Sequence, residues 1–146
     1  MKPLFAAIVS MLLLTGLSAQ SADHPNFVVI FTDDQGYGDL SCFGGKHIST
    51  PRIDRMAAEG VLMTNFYASA PVCSPTRASV MTGRHPFRAN VPNHGHYMRP
   101  DEWTIAEQLG DAGYVTGHFG KWHIGSVQPD SPTSPGGAGF DEWLSG

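Results

Sequence analysis

Asn26-Phe27-Val28-Val29-Ile30-Phe31-Thr32-Asp33-Asp34-Gln35-Gly36-Tyr37-Gly38-Asp39 is the stretch on which the fold reading turns. Residues 27–31 form a continuous apolar run rich in β-branched side chains. Such a run suits a strand covered on both faces, as in a parallel sheet, because a half-exposed strand would alternate with polar residues. The run halts at two adjacent acids followed by glycines. Asp33 and Asp34 therefore stand just past the carboxyl end of a buried strand, the edge at which open α/β sheets bind their ligands.

Working outward, Thr50-Pro51 predicts a helix start, with threonine as N-cap and proline in the first helical position. Ile53, Met56 and Ala57 share one face of that helix, and Gly60 is placed to end it. Val61 to Tyr67 reads as a second strand. Ser74 as N-cap with Pro75 behind it predicts a short helix through Met81, stopped near Gly83. Cys73 then lies just ahead of a helix N-terminus, where main-chain N–H groups favour anions. Thr104 to Asp111 gives a third helix, apolar at Ile105, Ala106 and Leu109 and capped around Gly113. Tyr114 to Phe119 is a third strand, followed by Gly120-Lys121-Trp122-His123-Ile124-Gly125. Residues 84–102 read as irregular, and His85, His94 and His96 within them show no metal-ligand spacing and read as loop residues. Residues 126–139 are a Pro/Gly/Ser-rich loop. The order β-α-β-α-α-β points to an α/β fold with a mainly parallel sheet sandwiched by helices. Strands of the buried type need neighbours, so the layer reads as incomplete, the front part of a larger domain.

The chain has 146 residues, room for one ordinary domain and too few for two. Charged residues are 15% and hydrophobic residues 41% of the whole, which excludes a disordered charged tail. The net charge is −4, and a nucleic-acid partner is excluded because non-specific binding needs a basic surplus to release counterions. The 17 glycines and 11 prolines fit a chain whose loops carry chemistry.

Residues 1–22 have the layout of a secretory signal peptide: Lys2, an apolar stretch from Leu4 to Leu14, then small residues through Ser18, Ala19, Ser21 and Ala22. The apolar stretch dissolves too early to span a membrane, which takes about 20 apolar residues. The protein is thus expected to be exported, periplasmic or secreted, with no membrane span once residues 1–22 are removed. The mature part would run from residue 23 to 146. Two cysteines, Cys42 and Cys73, in an exported chain read by default as one disulfide.

A parallel sheet would bring three polar clusters to one edge: Asp33/Asp34, Cys73 to Arg77, and Lys121/His123. Paired carboxylates are hard oxygen ligands for Ca²⁺ or Mg²⁺. Lysine and arginine suit an anionic substrate oxygen. A cysteine at a helix N-terminus can serve as an activated nucleophile. Together they describe metal-assisted transfer of a tetrahedral anion, phosphoryl or sulfuryl. Each piece also has a plain reading: a solvated Asp-Asp turn, a packed thiol, an exposed Lys/His alternation.

Cys73-Ser74-Pro75-Thr76-Arg77-Ala78-Ser79-Val80-Met81-Thr82-Gly83-Arg84 resembles the signature of the type I sulfatases, Cys-x-Pro-Ser/Thr-Arg followed by Thr-Gly-Arg. Residues 26–39 are similar to the opening strand and metal loop of that family, and residues 120–125 to its Gly-Lys-Trp-His-Leu-Gly box, with Ile124 in place of leucine. The resemblance covers residues 26–146 and implies an alkaline phosphatase-like fold and sulfuric ester hydrolysis. It implies that Cys73 is converted to Cα-formylglycine by a dedicated maturing enzyme that reads Pro75 and Arg77. The hydrated aldehyde would attack sulfur with one hydroxyl and use the other to eliminate sulfate. It further implies one Ca²⁺ held by Asp33, Asp34 and the converted Cys73. Arg77 would hold the diol, Lys121 would bind a sulfate oxygen, and His123 would hydrogen-bond the diol or the ester. The expected substrate is a sulfated small molecule or glycan. With Cys73 so committed, Cys42 is expected to be a buried thiol. Members of this family are much longer, and a second Asp-Asn metal pair, a further His and a further Lys lie in their later part. The chain is accordingly expected to be an N-terminal piece with an incomplete site. Two other readings stay open: a phosphonate or phosphate ester hydrolase of the same superfamily, and a non-catalytic remnant that only binds metal or a sulfated glycan.

Overall fold

The computed structural model describes residues 24–146, and the signal-peptide expectation for residues 1–22 lies outside them. The chain divides into two compact units, Met1–Phe31 and Thr32–Gly146. In the first, residues 24–31 form no helix or strand, and Phe27, Val28, Val29 and Ile30 are exposed. The expected doubly covered strand at 27–31 is therefore not formed among the described residues. The physical reason is that a parallel strand exists only as one side of a hydrogen-bonded ladder, and no described segment builds such a ladder with this one.

The second unit carries the rest. A single 3₁₀ turn, Ser41–Phe43, precedes α1, Pro51–Glu59. Thr50 is the N-cap of α1 and Pro51 follows it, as expected. The Thr50 hydroxyl makes no capping bond to the helix main chain; it accepts from Ser41 N–H at 3.0 Å and donates to the Asp54 side chain at 2.9 Å. Gly60 ends α1 as expected, with φ −118°. The apolar face of α1 is not covered: Ile53 and Met56 are exposed. Residues 61–67 form no strand and remain exposed, again because no described segment offers them a ladder.

α2 runs over Cys73–Thr82, so Cys73 is its first residue and Val72 its N-cap. The expectation of Ser74 as N-cap fails because Ser74 Oγ is used elsewhere, accepting from Gly95 N–H at 3.2 Å. Thr76 anchors the helix start by donating to Ala70 O at 2.8 Å and Val72 O at 3.0 Å. Gly83, at φ 64°, closes α2 in the left-handed conformation that glycine accepts without strain. α3, Ile105–Asp111, begins with a reciprocal capping box between Thr104 and Glu107.

The third expected strand appears as β1, Gly117–Gly120, and it pairs in parallel with β2, Glu142–Ser145, with Gly117 opposite Glu142 and Gly120 opposite Ser145. β2 has no sequence signal beyond its mixed apolar composition. The core gathers Ala78 of α2, Ala89, Val91 and Met98 of the following loop, and Trp122, Ile124 and Ala138 from the segment after β1. Met98 N–H donates to Ile124 O at 2.8 Å, and Trp122 Nε1 donates to Thr133 O at 2.9 Å. These bonds clamp the turn after β1 between two loops. Glu102, buried, is held by both Arg84 and Arg99. Among the described residues no helix is long and apolar enough to cross a membrane.

Candidate active site

The Lys121–Gly125 turn is shaped by what it buries. Trp122 and Ile124 are 1% and 0% exposed, so Lys121 and His123, which alternate with them, face the other way. His123 adopts φ 56°, an uncommon conformation for a residue with a side chain. The buried neighbours on either side hold it there. Gly125 completes the turn against Thr133, whose carbonyl would stand 1.9 Å from any added Cβ.

That turn meets the start of α2. Cys73 Sγ lies 3.2 Å from His123 Nδ1. Arg77, buried one helical turn further on, donates from Nη1 to Lys121 O at 2.7 Å, and its Nη2 stands 3.5 Å from Asp33 Oδ1. Lys121 Nζ donates to Asp33 Oδ2 at 2.7 Å. Five of the six residues singled out from the sequence thus make up a network of two bonded groups, Cys73–His123 and Asp33–Arg77–Lys121, which act on one another through their charges. Asp34, the sixth, is exposed at φ 51° and stands beside the network without joining it.

His94 belongs here too, which corrects its reading as a plain loop residue. Its ring stands edge-on to that of His123, with centroids 4.7 Å apart. The ligand atoms of Cys73, His94 and His123 all lie within 4.8 Å of one another. No spacing rule finds a residue placed by a turn between two distant segments. The only local hint is the turn chemistry of Asn93-His94-Gly95, in which Asn93 Oδ1 accepts from His94 N–H at 2.8 Å and Gly95 has φ 76°.

The charges in the network sustain one another. Asp33 is held below the usual carboxylate range, chiefly by the hydrogen bond from Lys121 and further by the charges of Lys121 and Arg77. Lys121 is correspondingly raised by its bond to Asp33. His123 is lowered, first by burial and then by the neighbouring Lys121, His94 and Arg77, so its neutral form prevails at neutral pH. The result is a sulfur atom facing a neutral imidazole, with two fixed cations nearby and one carboxylate between them. Both cysteines are free thiols, so no disulfide forms. Cys42 is half-buried, less enclosed than expected, with its N–H bonded to Asp54 Oδ1 at 2.9 Å. An open cleft of about 540 Å³ borders Lys121 and His123 and is lined also by Tyr97, Ser126 and Val127.

For a hard divalent cation, the adjacent carboxylates of Asp33 and Asp34 fit in kind, as exposed oxygen donors in one loop. Ca²⁺ takes 6–8 oxygens, so these two side chains form part of a coordination shell. In this structure the oxygens of Asp33 are engaged by Lys121 and Arg77.

Cys73 at the start of α2, the cations of Arg77 and Lys121 and the carboxylate of Asp33 thus lie close together in space. A profile of the Sulfatase family matches residues 25–146. The chain is 41% identical over 141 residues to steryl-sulfatase of Rattus norvegicus, covering 87% of this chain and 24% of that protein. It is 40% identical over 143 residues to N-acetylgalactosamine-6-sulfatase of Homo sapiens, covering 88% of this chain and 27% of that protein. Among solved structures, Ps i-CgsB in complex with k-i-k-neocarrahexaose superposes with a TM-score of 0.69 at 34% identity, over 77% of this chain and 26% of that one. The chain belongs to the sulfatase family, and its fold is the α/β, alkaline phosphatase-like fold of these structural neighbours. It spans about a quarter of the length of the curated relatives it matches.

Proposed function

We propose that this protein hydrolyses sulfate esters, with Cys73, after conversion to formylglycine, as the nucleophilic position and one Ca²⁺ at Asp33 and Asp34. The observation that carries the reading is that the bonded pair Cys73–His123 and the bonded trio Asp33–Arg77–Lys121 act on one another electrostatically within a sulfatase-family chain. Formylglycine supplies, when hydrated, a hydroxyl that an unconverted thiol lacks, and Ca²⁺ supplies charge for a sulfate oxygen.

The chain's own side chains then have separable tasks. His123, neutral and directed at position 73, is placed to take or return a proton there. Arg77 is buried and charged, and it holds the Lys121 main chain and the Asp33 carboxylate at fixed spacing. Lys121 reaches the same carboxylate, so a cation arriving at Asp33 competes with it. Once displaced, the Lys121 ammonium is available to a substrate oxygen. Preorganised charge of this kind costs no reorganisation when the reaction occurs.

The leaving group would occupy the open cleft beside Lys121 and His123, where Tyr97 offers an exposed aromatic face and Ser126 a hydroxyl. These features suit a hydroxylated ring, and a sulfated glycan is the substrate class we favour. The names of two of the relatives agree with it: one is named N-acetylgalactosamine-6-sulfatase, and one was solved in complex with k-i-k-neocarrahexaose. Export through residues 1–22 and maturation by a formylglycine-generating enzyme complete the proposal.

The test is to co-express the full reading frame containing residues 1–146 with a formylglycine-generating enzyme and to compare turnover of an aryl sulfate with that of an aryl phosphate. Sulfate turnover that disappears in Cys73→Ala and on chelation of Ca²⁺ supports the reading. Preference for the phosphate ester would move the protein to the phosphate and phosphonate hydrolases of the superfamily. Sulfate turnover retained in Cys73→Ala would overturn it.

A further inference from the structure

We propose that the thiol form of this protein, before Cys73 is converted, holds one zinc-class divalent cation between Cys73 Sγ, His94 and His123. This site shares only residue 73 with the Ca²⁺ site expected at Asp33, Asp34 and converted Cys73, and it goes beyond the sulfatase reading.

The donor set points to the ion. One thiolate and two imidazoles are intermediate-to-soft ligands that select zinc and its neighbours, whereas the carboxylate pair selects hard cations. Three protein ligands with a fourth position left for water is the composition of an open zinc site. Zinc-to-sulfur and zinc-to-nitrogen bonds of about 2.3 and 2.0–2.1 Å, set tetrahedrally, put ligand atoms roughly 3.3–3.6 Å apart. Cys73 Sγ and His123 Nδ1 are already 3.2 Å apart, and all three ligand atoms fall within 4.8 Å. Closing the longest separation takes a movement on the order of 1 Å against those bond lengths.

The structure also shows which ligand moves. His123 is locked in its turn at φ 56° between buried Trp122 and Ile124, and Cys73 is fixed in the first turn of α2. His94 is exposed on a turn, free to rotate its ring from edge-on toward the sulfur. That turn is tethered where it matters, because Gly95 N–H donates to Ser74 Oγ, next to Cys73 in the chain. The ammonium of Lys121 and the guanidinium of Arg77 oppose a dication, and the Asp33 carboxylate bonded to both offsets them.

On binding, the Cys73 S–H bond breaks, a sulfur–metal bond forms and the proton passes to solvent, with no change of oxidation state. Conversion of Cys73 to an aldehyde removes the sulfur and with it the thiolate ligand. Metal binding of this kind is therefore a property of the unconverted chain alone. A chain that escapes maturation would be capped by the cation at the residue where chemistry otherwise begins.

The experiment uses the full chain made without a maturing enzyme, kept reduced, and titrated with Co²⁺ as a spectroscopic stand-in for Zn²⁺. One equivalent should produce the visible bands of tetrahedral cobalt together with a thiolate-to-cobalt charge-transfer band, and Zn²⁺ should displace both. Cys73→Ser, which preserves size and polarity, should abolish the charge-transfer band. His94→Ala should weaken binding at least about 10-fold, the smallest loss expected for a group at a metal centre. Cys42→Ala should leave the spectrum intact. No saturable band at one equivalent, a band that persists in Cys73→Ser, or one that vanishes in Cys42→Ala would each overturn the proposal. None of these readouts depends on sulfate turnover, so the two readings fail separately.

Discussion

Arg77 donates from Nη1 to the main-chain carbonyl of Lys121 at 2.7 Å. The bond joins a buried position on α2 to the turn that follows β1, two segments with 43 residues between them. The Lys121 ammonium therefore leaves from a backbone that the second cation of the site has already positioned. The guanidinium does this while reaching Asp33 with its other nitrogen, so one planar fork sets the spacing of an acid and a base.

Arg77→Ala should accordingly lower both stability and activity. Loss of a charge-assisted hydrogen bond to a buried group costs about 1.5–3 kcal/mol. Urea unfolding followed by circular dichroism checks the first effect. Arg77→Lys keeps the charge but loses the fork, and it should recover only part of either property.

Lys121 and Asp33 should titrate as partners. Asp33 lies below its ordinary value because of Lys121, so any stability it contributes is fully present above its unfolded value near 3.8 and is lost as pH falls through the lower folded value. In Lys121→Gln the Asp33 carboxyl should titrate at higher pH than in the wild type. Carbon-detected NMR of the aspartate side chains follows this directly, and an unchanged Asp33 titration would sever the pair.

His123 should behave in the opposite sense to an ion-paired histidine. Its folded value is lowered, so the unfolded chain binds the proton more readily and protonation favours unfolding. The contribution is complete above the unfolded value near 6.5 and is lost as pH falls from there toward the folded value. Imidazole proton shifts should place the His123 midpoint below that of an exposed histidine, and Lys121→Gln should move it up. His123→Ala in the matured protein should reduce turnover roughly 10²–10⁴-fold if the ring moves a proton.

Gly125→Ala tests the turn that aims Lys121 and His123. Its Cβ would overlap Thr133 O at 1.9 Å, and backbone is the obstacle on the far side, so one strand of the loop must move. Overpacking of this kind costs about 1–3 kcal/mol. The expected outcome is a lower midpoint of thermal unfolding together with a changed Cys73–His123 separation. Gly38→Ala, where an added Cβ meets nothing within 4 Å, serves as the control.

Elements made by neighbours in the chain are legible in the amino-acid sequence alone. The Thr50-Pro51 start of α1, the left-handed Gly83 after α2 and the Thr104–Asp111 helix each rest on contacts within one or two turns. The candidate residues Asp33, Asp34, Cys73, Arg77, Lys121 and His123 stand out in the sequence too, because their types and order form specific motifs, and the structure brings all but Asp34 into contact with another of them. Tertiary structure alone decides the rest. It places His94 against His123 and closes two arginines around Glu102. It starts α2 at Cys73 by drawing Ser74 Oγ to Gly95, and it pairs β2 with β1. The runs at 27–31 and 61–67 carry strand composition yet form no strand among the described residues. The difference has one cause. A cap or a helical turn is satisfied by atoms a few residues away, whereas a ladder, an ion-pair clamp or a ring contact requires a partner that only folding brings within reach.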